Sequence, residues 1–307
     1  LVGSEMCIRD RYMTGPLVSI ITITRNREKL IQRAINSVLR QTYSNIEYII
    51  VDGASTDNTS RVVHSIPDDR IKFIELKENL PIAETINIGF RESHGEYITF
   101  LDSDDEYLPT KIEKQVRLLK SLPSEYGFVY CWMTYFNDIN KKFIRLHNPQ
   151  LKGFVPYEVV EKPTISGTPT YMFRRHVFEE LGGWRDNIGI ISDWELAARA
   201  CQKYKIDFVP ESLINVYVNH GSQRMSDRKY YKALYGKMII FHRHFLKEFQ
   251  EVFEKYPQKS IPHFYGLCIA CFKLKRWKQA LFYYKKILSL GISPKNILIP
   301  LRVLFLK

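Results

Sequence analysis

The chain has 307 residues, of which 45% are hydrophobic and 25% are charged, with 45 Lys and Arg against 33 Asp and Glu. This composition excludes a disordered or collagen-like protein, and the length corresponds to one large domain or two smaller ones. Five cysteines in a chain of this length exclude a disulfide-dense secreted module.

Strands and helices alternate along the first third of the chain. Residues 1–15 show neither periodicity nor the order of a signal peptide, and we expect a non-native or disordered leader there. Short β-branched and apolar runs then predict strands at 17–23, 46–51, 71–76 and 97–101. Amphipathic spacing predicts helices at 28–40 and 82–91. This alternation is typical of right-handed βαβ units and predicts an α/β fold with a parallel sheet.

Polar side chains follow three of these strands. They are Thr24–Asn26 after the first, Asp52 after the second and 102–105 after the fourth. Because ligands of parallel sheets bind outside the carboxyl ends of the strands, we expect these residues to converge on one crevice. Asp102, Asp104 and Asp105 would repel one another, and a divalent cation such as Mn²⁺ or Mg²⁺ would remove that repulsion. The alternative is a solvated acidic turn that caps the helix after Pro109.

The pattern becomes mixed beyond residue 109. Apolar periodicity predicts helices at 111–122 and 194–204 and strands at 126–136, 168–173, 208–209 and 213–218. From residue 229 onward only helices are predicted, including a hairpin over 265–288. We therefore expect an α/β domain at 16–227 and a basic helical extension at 228–307. Cys268 and Cys271 lie in an apolar context without a second ligand pair, which indicates core packing rather than a zinc site.

Four segments carry a specific resemblance. They read VSIITITRN (18–26), SVLRQTY (37–43), EYIIVDGASTDNT (47–59) and GEYITFLDSDD (95–105). In this order they closely resemble bacterial members of glycosyltransferase family 2. The resemblance implies the GT-A nucleotide-sugar-binding fold, with a mostly parallel sheet and a C-terminal helical extension, and a reaction that inverts the anomeric carbon.

The resemblance also implies roles for individual residues. Asp102 and Asp104 match the D-x-D motif, in which Asp104 ligates the metal and Asp102 contacts the metal or the ribose. Asp193 matches the catalytic base, although a plain helix N-cap is the alternative. The implied donor-binding residues are Thr24, Arg25, Asn26, Asp52, Asn87, Asp102 and His220, and a surface-loop histidine is the alternative for His220. The implied acceptor-binding residues are Trp194, Glu195 and Arg174, and a solvated strand end is the alternative for Arg174.

The function implied is a metal-dependent glycosyltransferase, of the hexosyl or N-acetylhexosaminyl class. It would move a sugar from a nucleotide-diphosphate donor to a hydroxyl of a saccharide or lipid-linked acceptor in bacterial cell-surface polysaccharide or lipopolysaccharide synthesis. One metal site and one base carboxylate suffice for such a single displacement. The alternative is a non-catalytic protein on the same fold that binds a nucleotide-sugar or a partner.

The basic charge is concentrated at the C-terminal end. Residues 228–307 contain 17 Lys and Arg and 3 Asp and Glu. Residues 1–227 contain 28 Lys and Arg and 30 Asp and Glu. Together with the apolar and basic segment 296–307, this predicts a helix on an anionic membrane surface. A docked terminal helix or a solvated helix face is the alternative. Because the chain lacks both a long apolar window and a nucleic-acid-binding module, we expect a cytoplasmic protein, peripheral on the inner face of the membrane, without a nucleic-acid partner.

Overall fold

The computed structural model describes residues 15–165, 167–186, 188, 192–219 and 231–291. The chain forms two compact units, each made of three segments. The first unit comprises Leu1–Val155, Ile165–Asp186 and Arg199–Ser222, and the second comprises Pro156–Thr164, Asn187–Ala198 and Gln223–Lys307. The boundary predicted at residue 228 lies outside the described residues and stays a prediction, as does most of the leader predicted at 1–15.

The strands and helices are numbered in chain order. The strands are β1 (Val18–Thr24), β2 (Ile46–Asp52), β3 (Ile71–Glu75), β4 (Tyr97–Phe100), β5 (Glu106–Tyr107), β6 (Tyr126–Asn137), β7 (Phe143–His147), β8 (Met172–Arg174) and β9 (Lys205–Val218). The helices are α1 (Ile31–Leu39), α2 (Thr59–His64), α3 (Ile82–Arg91), α4 (Lys111–Ser121), α5 (Pro156–Glu161), α6 (Arg175–Glu180), α7 (Ser192–Cys201), α8 (Tyr231–Glu248), α9 (Gln250–Lys255), α10 (Ile261–Lys273) and α11 (Trp277–Ser289). Short 3-10 helices span Thr168–Thr170 and Pro257–Ser260.

In the first unit, the described strands form one sheet in the order β3-β2-β1-β4-β8-β6-β9-β5, with β7 paired to β6. Its first half is parallel, as predicted: β2 pairs with β3 and β1, and β1 pairs with β4. β1, β2 and β4 are buried at nearly every position, because a parallel sheet is covered on both faces. The four strands predicted here are confirmed within one residue at each end.

The second half of the sheet is mixed rather than parallel. β8 runs antiparallel to both β4 and β6, and β5 runs antiparallel to β9, whereas β6 and β9 are parallel. The two short strands predicted at 208–209 and 213–218 are one strand, β9, whose pairing with β6 shifts register between Val209 and Ser212. The intervening Pro210 hides this continuity, because proline is a strand-breaking signal in a sequence.

The described part of the second unit is helical. The predicted helices beyond 229 and the hairpin over 265–288 are confirmed as α8 to α11. Cys271 is fully buried beside Leu267 and Ala280, as the core-packing interpretation predicts. Among the described residues, no helix is long and apolar enough to cross a bilayer.

Lys111 is a fully buried cation beneath the end of β4. Its Nζ donates to Thr99 Oγ1 at 2.5 Å and lies 4.0 Å from the centroid of the Tyr107 ring. Thr99 Oγ1 in turn donates to the Tyr171 carbonyl at 2.6 Å. Burial lowers the pKa of Lys111 from 10.5 to about 7. The ammonium is therefore disfavoured in the folded state relative to the unfolded state.

The first prediction concerns stability against pH. Between pH 7 and pH 10.5 the unfolded chain binds more protons at Lys111 than the folded chain does, so this residue makes stability rise with pH. We expect Lys111→Met to flatten the increase in melting temperature from pH 7 to about pH 9. Lys120→Met, which removes an exposed lysine of the same helix, is the control and should keep the wild-type slope. An unchanged slope in Lys111→Met would contradict this assignment.

Candidate functional site

The carboxyl ends of β2, β1 and β4 meet at one edge of the sheet. Thr24 lies opposite Asp52 in the β1–β2 register. On the other side of β1, Leu101 N donates to Ile21 O at 3.0 Å, and Thr22 Oγ1 donates to Leu101 O at 2.7 Å. The structure therefore brings together the three polar segments 24–26, 52–53 and 102–105, as the strand order predicts.

Asp52 organises the loop that follows β2. Its carboxylate accepts hydrogen bonds from Ser55 N at 2.8 Å and from Ser55 Oγ at 2.5 Å. Ser55 Oγ also accepts from Asn26 N, and Asn26 Oδ1 accepts from Thr56 N, both at 2.8 Å. Asn26 has a φ of 52°, a left-handed conformation that asparagine tolerates better than most residues. The two loops are thus held against each other at the sheet edge.

Two of the predicted donor-binding residues, Thr24 and Arg25, have polar side chains that no other described residue engages. The Thr24 hydroxyl is buried and has no hydrogen-bond partner in the part of the chain that the structure describes. Arg25 is exposed and forms no salt bridge with a described residue. A buried hydroxyl without a partner is costly, and a bound polar ligand would satisfy it.

Asp102, Asp104 and Asp105 form an acid cluster. Each offers a carboxylate oxygen, and these oxygens lie within 4.8 Å of one another. Asp104 and Asp105 are buried, whereas Asp102 is more exposed. Three oxygen ligands at this separation fit Mg²⁺ or Mn²⁺, which prefer carboxylates. The residues present therefore match the divalent ion that the D-x-D resemblance implies.

Arg33 and Tyr217 hold the acid cluster in place, and sequence reasoning missed both. Arg33 on α1 donates to the Asp104 carbonyl, and its guanidinium lies 3.8 Å from the centroid of the Tyr217 ring. Tyr217 N donates to Asp105 Oδ1 at 3.0 Å, and Tyr217 Oη donates to Glu106 Oε2 at 2.9 Å. Burial and the Glu106 carboxylate raise the pKa of Tyr217 to about 12, so it stays a neutral donor. Only the antiparallel pairing of β5 with β9 brings Tyr217 here, and no local motif signals it.

Asn87 and Arg174 bind backbone groups of the first unit. Asn87 Nδ2 donates to Trp184 O at 2.9 Å, and Asn87 Oδ1 accepts from Trp184 N at 3.0 Å. The Arg174 guanidinium donates to three carbonyls, those of Tyr126, Leu119 and Leu122, at 2.7 to 2.9 Å. Both side chains therefore brace the fold. We do not propose direct donor or acceptor contacts for them, because these hydrogen bonds would first have to break.

Asp193, Trp194 and Glu195 belong to the second unit. Asp193 and Glu195 lie in the first turn of α7, and Asp193 is partly exposed. Trp194 is 3% exposed, donates from Nε1 to Val159 O at 2.5 Å and packs 4.6 Å from Phe245, measured between ring centroids. Glu195 is fully buried. Burial excludes Trp194 and Glu195 from an acceptor surface in this arrangement, and we do not propose that role for them.

His220 lies outside the described residues, so its role at the donor stays a prediction. β9 ends at Val218, and Tyr217 contacts the acid cluster as described above.

Two solved structures share this architecture. S. aureus TarS (residues 1–349) in complex with UDP superposes with a TM-score of 0.65 at 17% identity, covering 93% of this chain and 87% of that one. The mannosyltransferase PcManGT from Pyrobaculum calidifontis, in complex with GDP-Man and Mn²⁺, gives a TM-score of 0.61 at 19% identity, covering 95% and 81%. At these identities the likeness establishes the GT-A fold, and that prediction is confirmed.

Three curated relatives are closer in sequence. An uncharacterised glycosyltransferase of Rickettsia typhi is 40% identical over 73% of this chain and 72% of its own length. One from Rickettsia conorii is 31% identical over 70% of this chain, which spans only 35% of that protein. The putative teichuronic acid biosynthesis glycosyltransferase TuaG of Bacillus subtilis is 35% identical over 52% of this chain and 63% of its own length.

The model of the family "Glycosyl transferase family 2" matches residues 19–182, a stretch that contains the acid cluster, both loops beside it and most of the sheet. With this match and the 40% identity to the R. typhi protein, the chain belongs to glycosyltransferase family 2.

Proposed function

We propose that this chain transfers a sugar from a nucleoside-diphosphate donor to a hydroxyl of a saccharide or lipid-linked acceptor. The acid cluster carries this proposal, because three carboxylates within 4.8 Å lie at the same sheet edge as the Asp52 and Asn26 loops. The UDP-GlcNAc bound to TarS and the GDP-Man bound to PcManGT support a donor of this class. The name of TuaG supports a product in bacterial cell-surface polysaccharide synthesis.

Each part of the donor would meet a different group at this edge. Asp104 and Asp102, with Asp105 beside them, would hold Mn²⁺ or Mg²⁺. A bound ion would supply positive charge to the leaving diphosphate. Thr24, Arg25 and Asn26 would contact the nucleoside, and the partnerless Thr24 hydroxyl supports that placement. Asp52 would act by holding Ser55 and thereby the Asn26 loop, since its carboxylate already accepts two hydrogen bonds from Ser55.

Asp193 is the proposed catalytic base. A carboxylate that removes the proton from the acceptor hydroxyl as that oxygen attacks makes the reaction a single displacement. Such a displacement inverts the anomeric carbon. The partial exposure of Asp193 is compatible with access to a bound acceptor, whereas the neighbouring Trp194 and Glu195 are buried.

The alternative function is a non-catalytic protein that binds a nucleotide-sugar or a partner through the same fold. Both functions predict donor binding, so binding alone does not separate them. Turnover and its dependence on Asp193 do.

The second prediction concerns the metal. We expect Mn²⁺ together with the cognate nucleotide-sugar to raise the melting temperature of the wild-type chain, because a ligand that binds only the native state stabilises it. Asp104→Asn should abolish this joint shift while leaving the melting temperature without ligand close to wild type. Asp69→Asn, an exposed carboxylate before β3, is the matched control. A wild-type shift in Asp104→Asn would refute the metal assignment.

The third prediction concerns the base. Asp193→Asn keeps the size of the side chain and removes its ability to accept a proton. We expect it to retain the metal-dependent donor shift and to lower the rate of sugar transfer by about 10²- to 10⁴-fold. Transfer is measured as release of the nucleoside diphosphate in the presence of acceptor. Turnover at the wild-type rate would exclude Asp193 as the base, and absence of turnover in the wild type with every acceptor would favour the non-catalytic alternative.

We also propose that the basic C-terminal region binds an anionic membrane surface. Residues 255–307 contain 11 Lys and Arg and no Asp or Glu. Within this region, α11 exposes Trp277, Leu281 and Phe282, each between 53% and 56% exposed. Lys278, Lys285 and Lys286 are exposed on the same helix. Aromatic, aliphatic and basic side chains together are typical of a helix at a lipid interface.

The fourth prediction tests that surface in the full-length chain. Replacing Lys278, Lys285 and Lys286 by Glu reverses three exposed charges without touching the buried side of α11. We expect about a tenfold or larger loss of affinity for phosphatidylglycerol vesicles, given roughly 1 kcal/mol for each basic residue near such a surface. Vesicles of phosphatidylcholine alone are the control. Unchanged sedimentation with phosphatidylglycerol vesicles would disprove the role of α11.

A further inference from the structure

The hairpin formed by β6 and β7 exposes a cluster of large apolar side chains. Ten large hydrophobic residues are exposed in the described part of the chain, and four of them lie between positions 139 and 146. They are Ile139 (77% exposed), Phe143 (61%), Ile144 (45%) and Leu146 (41%). Single exposed apolar residues are ordinary on soluble proteins, but four large ones within one short hairpin indicate an interaction site.

β7 is exposed on both of its faces. Among the described strands it pairs only with β6, so β7 is an edge strand. Every position from Phe143 to Leu146 is exposed, which means that neither face of β7 packs on the core. An exposed apolar edge strand promotes aggregation unless something covers it. We therefore expect another molecule to cover this hairpin.

The charge on the hairpin identifies the class of occupant. Lys141, Lys142 and Arg145 lie among the apolar residues, and Asp138 is the one acid between positions 137 and 147. Asp138 bonds to Lys141 and to Arg33, the latter at 2.9 Å, and its side chain is only 9% exposed. Burial alone would raise the pKa of Asp138, but these two hydrogen bonds lower it below its usual value. The outward-facing charge of the hairpin is consequently positive.

A positive, apolar surface fits anionic lipid. The apolar side chains would enter the boundary between headgroups and acyl chains while the cations meet lipid phosphates. A second copy of this chain would bring like charges together along the paired edges, which is unfavourable. Nucleic acid would use the cations but would leave the aliphatic side chains Ile139, Ile144 and Leu146 exposed.

Two side chains connect the hairpin directly to the acid cluster within the first unit. Arg33 Nη1 bonds to Asp138 in the turn between β6 and β7, and Arg33 Nη2 donates to the carbonyl of Asp104. The Tyr217 ring lies 3.8 Å from Arg33 and 5.4 Å from Lys141 Nζ, while Tyr217 N bonds to Asp105. A lipid surface that holds this hairpin therefore also holds the acid cluster at a set position beside the membrane.

We propose that the β6–β7 hairpin inserts Ile139, Phe143, Ile144 and Leu146 into an anionic lipid surface and so presents the acid cluster to a membrane-bound acceptor. The evidence for this lipid contact comes from the hairpin alone and does not depend on α11. The reference to the acceptor rests on the proposed function, and it selects the lipid-linked class over a soluble saccharide.

The experiment uses the full-length chain and vesicles of equimolar phosphatidylcholine and phosphatidylglycerol. The variant Phe143→Ser/Ile144→Ser removes two exposed apolar side chains, of which Phe143 meets the partly buried Phe136 ring at 6.4 Å between centroids. The melting temperature checks that folding is preserved. We expect about a tenfold or greater loss of vesicle affinity. Phe154→Ser, which changes a phenylalanine of similar exposure outside the hairpin, is the matched control and should bind as the wild type does.

A spectroscopic measurement supplements sedimentation. In a Trp277→Phe background, Phe143→Trp should shift the fluorescence of the chain to shorter wavelength when vesicles are added, beyond any shift of Trp277→Phe alone, because the new indole leaves water for the interface. Wild-type affinity in Phe143→Ser/Ile144→Ser, or no spectral shift in Phe143→Trp beyond that of Trp277→Phe, would overturn the proposal. So would a wild-type dimer that becomes a monomer in the double variant, since the hairpin would then be an interface between two copies.

Measurements of sugar transfer distinguish the proposed lipid contact of the hairpin from the proposed function. Transfer to a water-soluble acceptor should proceed equally in the wild type and in Phe143→Ser/Ile144→Ser, whereas transfer to a vesicle-embedded lipid-linked acceptor should fall in the double variant. If neither protein transfers sugar to any acceptor while the difference in vesicle affinity persists, the proposed function fails and the lipid contact stands. If transfer to the embedded acceptor is equal in both, the presentation of the acid cluster to a membrane-bound acceptor is refuted.

Discussion

Electrostatic repulsion among three neighbouring carboxylates is the constraint on which the rest of the site in the first unit depends. Asp102, Asp104 and Asp105 place oxygens within 4.8 Å of one another, and two of these side chains are buried. Desolvation strengthens this repulsion, so the loop needs positive charge and hydrogen-bond donors close by. The protein supplies Arg33 and the Tyr217 backbone amide, and a divalent ion would supply the remaining charge.

The mixed half of the sheet supplies one of those donors, Tyr217. β5 is only two residues long, yet its antiparallel pairing with β9 sets Glu106 opposite Asn215 and so brings Tyr217 to Asp105. From the other side, α1 contributes Arg33, which also bonds to Asp138 in the turn between β6 and β7. The acid cluster, the end of β9 and the hairpin are consequently one connected structure, in which a contact at the hairpin bears on the geometry of the acids.

The chain also carries two basic and apolar surfaces of different construction. On α11, the exposed Trp277, Leu281 and Phe282 lie among lysines on a regular helix. On the hairpin, the apolar side chains stand on an edge strand. Neither surface contains an unneutralised acid, since residues 255–307 have none and Asp138 is bonded to Lys141 and Arg33. Each surface is a separate proposal with its own variant.

The sequence by itself determined the parallel half of the sheet, the edge where Thr24, Asp52 and the acid cluster meet, and the family. Those features depend on local periodicity and on short motifs that occur in a characteristic order along the chain. Only the tertiary structure decided that Trp194 and Glu195 are buried, that Asn87 and Arg174 brace backbone carbonyls, and that Arg33 and Tyr217 support the acids. Such contacts join residues far apart in the chain, and a side chain that can bind a ligand can equally bond to the protein's own backbone. Tertiary packing decides whether such a side chain binds a ligand or the backbone, and no single segment of the sequence encodes that packing.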